Sequence, residues 1–158
     1  MINNKVNFDN NVSLNKRLIR KSIKHFCRPE VYPFFLKNLL KSRSNKKRRR
    51  IGCTDSSDGL FQALQDLASA SKCKAIINYE KIPKDKDWPR GNKWDEYYFF
   101  GGEDYELVFS LPKKWAKNLT KLDKEINEIG FFTDGEPSIE FKDSKKNKLL
   151  EITPFKHF

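Results

Sequence analysis

At 158 residues and 37% apolar content, the chain is long enough for one domain with a core, and too polar to be buried throughout. Its formal charge of +11 is uneven: residues 1–50 carry 15 Lys and Arg against only Asp9 and Glu30, while residues 51–158 hold 17 bases and 19 acids and are close to neutral. The absence of an apolar run of about 18 residues argues against a membrane helix, and residues 1–15 lack the apolar centre of a signal peptide; Cys27, Cys53 and Cys73 form no C-x-x-C pair, which disfavours structural zinc and points to a reducing, cytoplasmic setting.

Residues 1–12 are Asn-rich and weakly apolar, the composition of a disordered tail or linker. From Leu14 to Leu40 apolar residues recur every three to five positions, predicting two short helices broken near Pro29 and Pro33. Residues 41–50, KSRSNKKRRR, contain seven bases and no apolar side chain. They read as a solvated basic loop.

Leu60, Phe61, Leu64, Leu67 and Ala68 then share one helical face, with Ser57 or Asp58 as its expected cap. Lys74–Tyr79 is a predicted strand, Pro83–Lys93 a charged loop, and Asp95–Phe100 a short helix. Tyr105–Ser110 alternates as a strand. Trp115, Leu119, Leu122, Ile126 and Ile129 predict a helix opened by Pro112 and closed by Gly130. Ile139–Phe141 and Leu149–Ile152 read as two strands joined by a turn over Asp143–Asn147. The expected fold class is α+β, a mixed sheet with helices packed on it.

Three segments carry chemistry. In Asp55-Ser56-Ser57-Asp58-Gly59, two carboxylates three residues apart converge at a helix start. Magnesium takes oxygen ligands and keeps several waters while bridging to phosphate, and a helix N-terminus offers N–H groups to an anion. The alternative is a plain cap, since Asp and Ser are common helix starters. Gly101-Gly102-Glu103-Asp104 combines a pair of glycines that lets backbone approach a ligand with two acids; a tight turn reads equally well. At the chain end, Phe155 and Phe158 flank Lys156 and His157. Such rings cover a core edge or stack on a flat heterocycle.

Taken together, TDSSDGL at 54–60, GGEDYELVF at 101–109, the aromatic-Lys-His-Phe ending and His25-Phe26-Cys27-Arg28-Pro29-Glu30 resemble the C-terminal domain of thiamine-monophosphate kinases, relatives of the aminoimidazole-ribotide synthetases. Lys81-Ile82-Pro83 falls where that family has a leucine-proline element. The resemblance spans about Arg20 to Phe158. It implies a domain over 13–158, and a parent enzyme that passes the ATP γ-phosphoryl to thiamine monophosphate. It implies Asp55 and Asp58 as magnesium ligands, Ser57 as an ATP contact, and Glu103 and Phe155 as substrate contacts. It also implies that the ATP-site half and most of the family dimer interface lie outside this chain, leaving the chain inactive alone. A non-catalytic thiamine-phosphate-binding module remains an alternative. A nucleic-acid binder built on the basic run is disfavoured, because no aromatic residue is interleaved with the lysines and arginines.

Overall fold

The computed structural model describes residues 14–28, 35–43 and 50–151. In chain order the elements are helices α1 (Lys16–Cys27) and α2 (Phe35–Ser42), strand β1 (Gly52–Asp55), helix α3 (Leu60–Ser71), strand β2 (Lys74–Ile77) and helix α4 (Asn92–Phe100). Strand β3 (Leu107–Ser110), helix α5 (Lys113–Leu122) and strands β4 (Gly130–Thr133) and β5 (Ser138–Phe141) follow. Short 3-10 helices cover Tyr79–Lys81 and Ser144–Glu151.

The fold is α+β, and its strands form two sheets. β1 and β3 make an antiparallel ribbon, with Asp55 opposite Leu107 and Gly52 opposite Ser110. β2 lies at the centre of a mixed sheet, antiparallel to β4 and parallel to β5. Alternation along β2 and β5 sends Ala75, Ile77, Ile139 and Phe141 inward. There they meet Leu64 and Ala68 of α3 and the fully buried Phe99 of α4. A second core joins Leu39 of α2 to Trp115 and Leu119 of α5.

Several expectations need correction. Lys41 and Ser42 belong to α2 and not to the basic loop; Ser42 is buried, and its hydroxyl oxygen accepts the Trp115 indole N–H at 2.9 Å. A buried indole needs such a partner. Residues 44–49 and the prolines at 29 and 33 lie outside the described residues, as do residues 1–13.

The helix expected to run to Gly130 ends at Leu122, and Gly130 opens β4. Asp123 is buried and accepts from Asn38 Nδ2 at 2.8 Å and from the Glu125 N–H at 3.2 Å, which turns the chain away. The expected strand at 149–152 is 3-10 helix as far as Glu151. The Phe141 N–H that a hairpin partner would take is instead accepted by Asn147 Oδ1 at 2.8 Å.

A charged node ties the layers together. Asp95 of α4 accepts from Lys84 at 3.1 Å and from Lys146 at 2.8 Å, while Lys84 donates to the Tyr79 hydroxyl at 2.6 Å. Burial pushes the Asp95 carboxyl up, but hydrogen bonds from Lys146, Tyr79 and Lys84 win and hold it below the ordinary range. A depressed carboxylate stabilises the fold above its unfolded pKa, near 3.9, and that contribution is lost as pH falls through the folded value. Asp95→Asn is therefore expected to cost about 1–3 kcal/mol at pH 7. The gap to wild type should close in strong acid, as read by urea unfolding at several pH values.

Candidate active site

The ribbon register brings the two acidic motifs together. Asp55 ends β1 and faces Leu107, the first residue of β3, so the loops after Asp55 and before Leu107 leave the same end of the ribbon. Backbone bonds then join them. The Ser57 carbonyl accepts the Glu103 N–H at 2.7 Å, and the Ser56 N–H donates to the Glu106 carbonyl at 2.9 Å. The buried Ser56 hydroxyl accepts the Glu106 N–H at 3.0 Å.

Two glycines allow this approach. Gly59 has φ +92°, and a Cβ there would lie 2.8 Å from the Phe100 carbonyl oxygen. A Cβ on Gly102 would overlap the Ser57 carbonyl oxygen. Each motif thus supplies a glycine that the other motif's backbone packs against.

The cap reading of the first motif does not hold. The residue capping α3 is Gly59, with no side-chain cap bond. Asp55 instead accepts the Ser57 N–H at 3.0 Å, closing a turn over Ser56. The Ser57 hydroxyl and then the Ser57 N–H draw the exposed Asp55 carboxyl below its ordinary range. Asp58 is also exposed.

Glu103 and Tyr105 have left-handed backbones, φ +68° and +53°, which removes Tyr105 from the strand expected to begin there. Non-glycine residues in that region cost energy and cluster at functional sites. The Tyr105 hydroxyl donates to Glu103 Oε2 at 2.6 Å. That bond raises the phenol above its usual range, helped by the negative charge of Asp55 and Asp58. Asp55, Asp58 and Glu103 therefore act electrostatically on one hydroxyl. Tyr105 and Ser56 are the residues that sequence reasoning missed as parts of the site; their adjacency to Glu103 and Ser57 was the only signal.

α1 reaches the same corner. His25 Nε2 lies 3.0 Å from the Asp104 carbonyl oxygen and 3.9 Å from Glu106. Upstream, Arg17 and Lys21 pair with Asp85 at 2.5 and 2.8 Å.

Among the described residues, no group of three or more His, Cys, Asp or Glu side chains converges to cage a metal. Asp55 and Asp58 fit a different mode. They are exposed hard-oxygen donors, one of them held ionised, and magnesium is commonly held by one or two carboxylates plus substrate phosphates. Phe155 lies outside the described residues. Among the described residues, no helix is long and apolar enough to cross a membrane.

Residues 13–142 match the family of AIR synthase related proteins, C-terminal domain. The chain belongs to that family. Within it, the chain resembles the C-terminal part of thiamine-monophosphate kinases. It is 36% identical to the Prochlorococcus marinus thiamine-monophosphate kinase over 123 residues, covering 78% of this chain and 37% of that protein. It is 33% identical to the Nitrosopumilus maritimus thiamine-monophosphate kinase over 148 residues, 90% of this chain and 45% of that one. The chain thus spans less than half the length of these relatives.

Among solved structures, the Stenotrophomonas maltophilia thiamine-monophosphate kinase superposes with a TM-score of 0.61 at 19% identity, over 82% of this chain and 41% of that one. This likeness shows the fold. AaThiL complexed with AMPPCP and TMP superposes with a TM-score of 0.58 at 25% identity, over 82% and 40%.

Two measurements check the site geometry. Ser57→Ala removes the hydroxyl donor but keeps the N–H, so the Asp55 titration midpoint, followed by carboxyl NMR, should move part of the way up toward about 3.9. Gly102→Ala should destabilise the chain by about 1–3 kcal/mol in chemical unfolding, since overpacking against fixed backbone has no cheap relaxation.

Proposed function

We propose that this chain is the substrate-facing part of an enzyme that transfers the γ-phosphoryl group of ATP to thiamine monophosphate, giving thiamine diphosphate. The observation that carries this reading is the interlock of the DSSDG and GGED loops, which brings the two acidic motifs to one end of the ribbon and leaves Glu103 held by the Tyr105 hydroxyl. The 36% and 33% identity to thiamine-monophosphate kinases supports it, as does the AMPPCP and TMP complex of the similar AaThiL.

Phosphoryl transfer asks a protein mainly for positioning and charge neutralisation. Asp55 and Asp58 would hold magnesium, which would supply charge neutralisation at the phosphate oxygens. Ser57 fixes the Asp55 carboxylate through two hydrogen bonds and keeps it ionised at neutral pH. Its own position at the turn suits contact with ATP. Tyr105 fixes the Glu103 carboxylate, and Glu103 is the substrate contact that the family resemblance implies. Phe155 is the aromatic residue that the family resemblance assigns to the substrate. Carboxylates this concentrated repel bare phosphate, so binding of phosphate by this surface depends on the cation.

The 158 residues match less than half of either relative; assayed alone, this stretch is expected to be inactive. With ATP, magnesium and thiamine monophosphate it should show no turnover near the 1–100 per second typical of kinases, roughly. Combined with the part of the Prochlorococcus enzyme that it does not match, turnover should appear. Asp55→Asn and Asp58→Asn should each abolish it; since the hydrogen bonds from Ser57 favour the charged form of Asp55, Asp55→Asn should leave the chain no more stable than wild type. Full activity of both Asn variants in that combination would remove the metal role. A combination that binds thiamine monophosphate but never turns over would favour a binding module.

A further inference from the structure

α1 has little apolar grip on the rest of the chain: of its 12 residues only Leu18 is buried. Polar contacts hold it instead, and they fall on one face. Arg17, Lys21 and His25 are spaced i, i+4 and i+8, a line of side chains about 12 Å long at the helical rise of roughly 1.5 Å per residue. Arg17 pairs with Asp85 and Asp87 at 2.5 and 2.6 Å and Lys21 with Asp85 at 2.8 Å, while Asn15, the N-cap, donates to Asp87 at 3.1 Å. These contacts anchor the start of the helix to the segment before α4. At the other end of the line, His25 reaches the Asp104 carbonyl, in the segment after α4, at 3.0 Å. α1 therefore straps one flank of α4 to the other.

The carbonyl that His25 holds lies at a strained point. It sits between Glu103 and Tyr105, both left-handed at φ +68° and +53°. Such backbones persist in non-glycine residues only where the surroundings fix them. The Glu103 N–H is fixed by the Ser57 carbonyl and the Glu106 backbone by Ser56, which fastens the two ends of the loop. His25 fastens its middle. A carbonyl oxygen only accepts, so the ring donates from Nε2. The Glu106 carboxylate, 3.9 Å away and 73% exposed, adds little to that hold. With the Asp104 carbonyl released, the peptide joining Asp104 to Tyr105 is free to turn over. Both backbones can then return to negative φ, and the 2.6 Å bond from Tyr105 to Glu103 loses its alignment.

We propose that His25 is a positioning residue for Glu103: by holding the Asp104 carbonyl it keeps Glu103 and Tyr105 in the conformation that presents the Glu103 carboxylate to the ligand. The inference rests on the kinase reading, in which that ligand is thiamine monophosphate. His25 does this from a separate helix and without touching the carboxylate, so its contribution is to the shape of the loop and not to its charge.

The test compares the wild-type chain with His25→Ala, His25→Gln and Ser22→Ala. Gln offers an uncharged N–H donor at the reach of Nε2, and Ser22 is exposed on the same helix. Ala is a strong helix former, so α1 is retained, and circular dichroism checks that every variant is folded. Two NMR signals read the loop. One is the strong amide-to-Hα cross-relaxation within Glu103 and within Tyr105 that a positive φ produces. The other is the Tyr105 phenol titration, which lies above its usual range while Glu103 accepts the hydroxyl proton. Thiamine monophosphate is then titrated into each chain. His25→Ala is expected to lose the cross-relaxation signals and to bring the phenol titration down toward about 10. It should weaken thiamine monophosphate binding about tenfold, on the scale of one hydrogen bond. His25→Gln should keep the signals and bind within about twofold of wild type, and Ser22→Ala should match wild type. Unchanged signals in His25→Ala overturn the proposal. So do lost signals with unchanged affinity, which reduce His25 to a structural contact. A Gln variant as impaired as Ala also overturns it, in favour of the ring's charge facing Glu106. A wild-type chain whose loop behaves as described but which binds no thiamine monophosphate leaves His25 as the residue that shapes the loop and removes the kinase reading.

Discussion

One hydrogen bond organises the site: the Glu103 N–H to the Ser57 carbonyl, 2.7 Å, with Gly102 pressed against the same carbonyl. It fixes two loops whose bonded residues, Ser57 and Glu103, are 46 apart in sequence. The Ser56–Glu106 bonds continue the ribbon past its last paired residues, so the loops meet with ladder-like regularity. A short polar side chain, Ser56, takes the place of a strand residue there. With the backbone satisfied in this way, the carboxylates of Asp55, Asp58 and Glu103 are left to face outward.

Their crowding has a physical consequence. The Tyr105 phenol, already held by Glu103, resists ionisation in their field. Such a surface favours cations and tolerates phosphate only through them. The left-handed backbones at Glu103 and Tyr105 store strain where the charge is concentrated. Strain and repulsion at one corner must be offset by stability elsewhere, and two features provide it. α3 packs between the ribbon and the three-stranded sheet, burying Leu64 and Ala68. The Asp95 node joins α4, which leads into Gly101 and Gly102, to the segment after β5.

Much of this was legible in the residues. Periodicity gave α3, and short apolar runs gave β2, β5 and α4, although α4 starts at Asn92, inside the expected loop, and β2 ends at Ile77, before Tyr79. The acidic loops were legible as candidates, and their pairing with known motifs indicated the family. The failures share a cause. Asp123, Asn147 and Ser42 end or replace regular structure by hydrogen bonds to groups far away or around a corner, and periodicity carries no trace of them.

The sequence by itself determined the fold class, the elements α3, α4, β2 and β5 of the main core, and the identity of the acidic motifs, since hydrophobic spacing and glycine position are local properties. Only the tertiary structure decided that Ser57 and Asp58 are not caps, that Tyr105 leaves the strand to hold Glu103, and that Asp55 shares an open apolar face with Leu107. Those facts depend on cross-strand register and on two glycines that admit close backbone contact, and register is set by the packing of the whole ribbon and not by either strand alone.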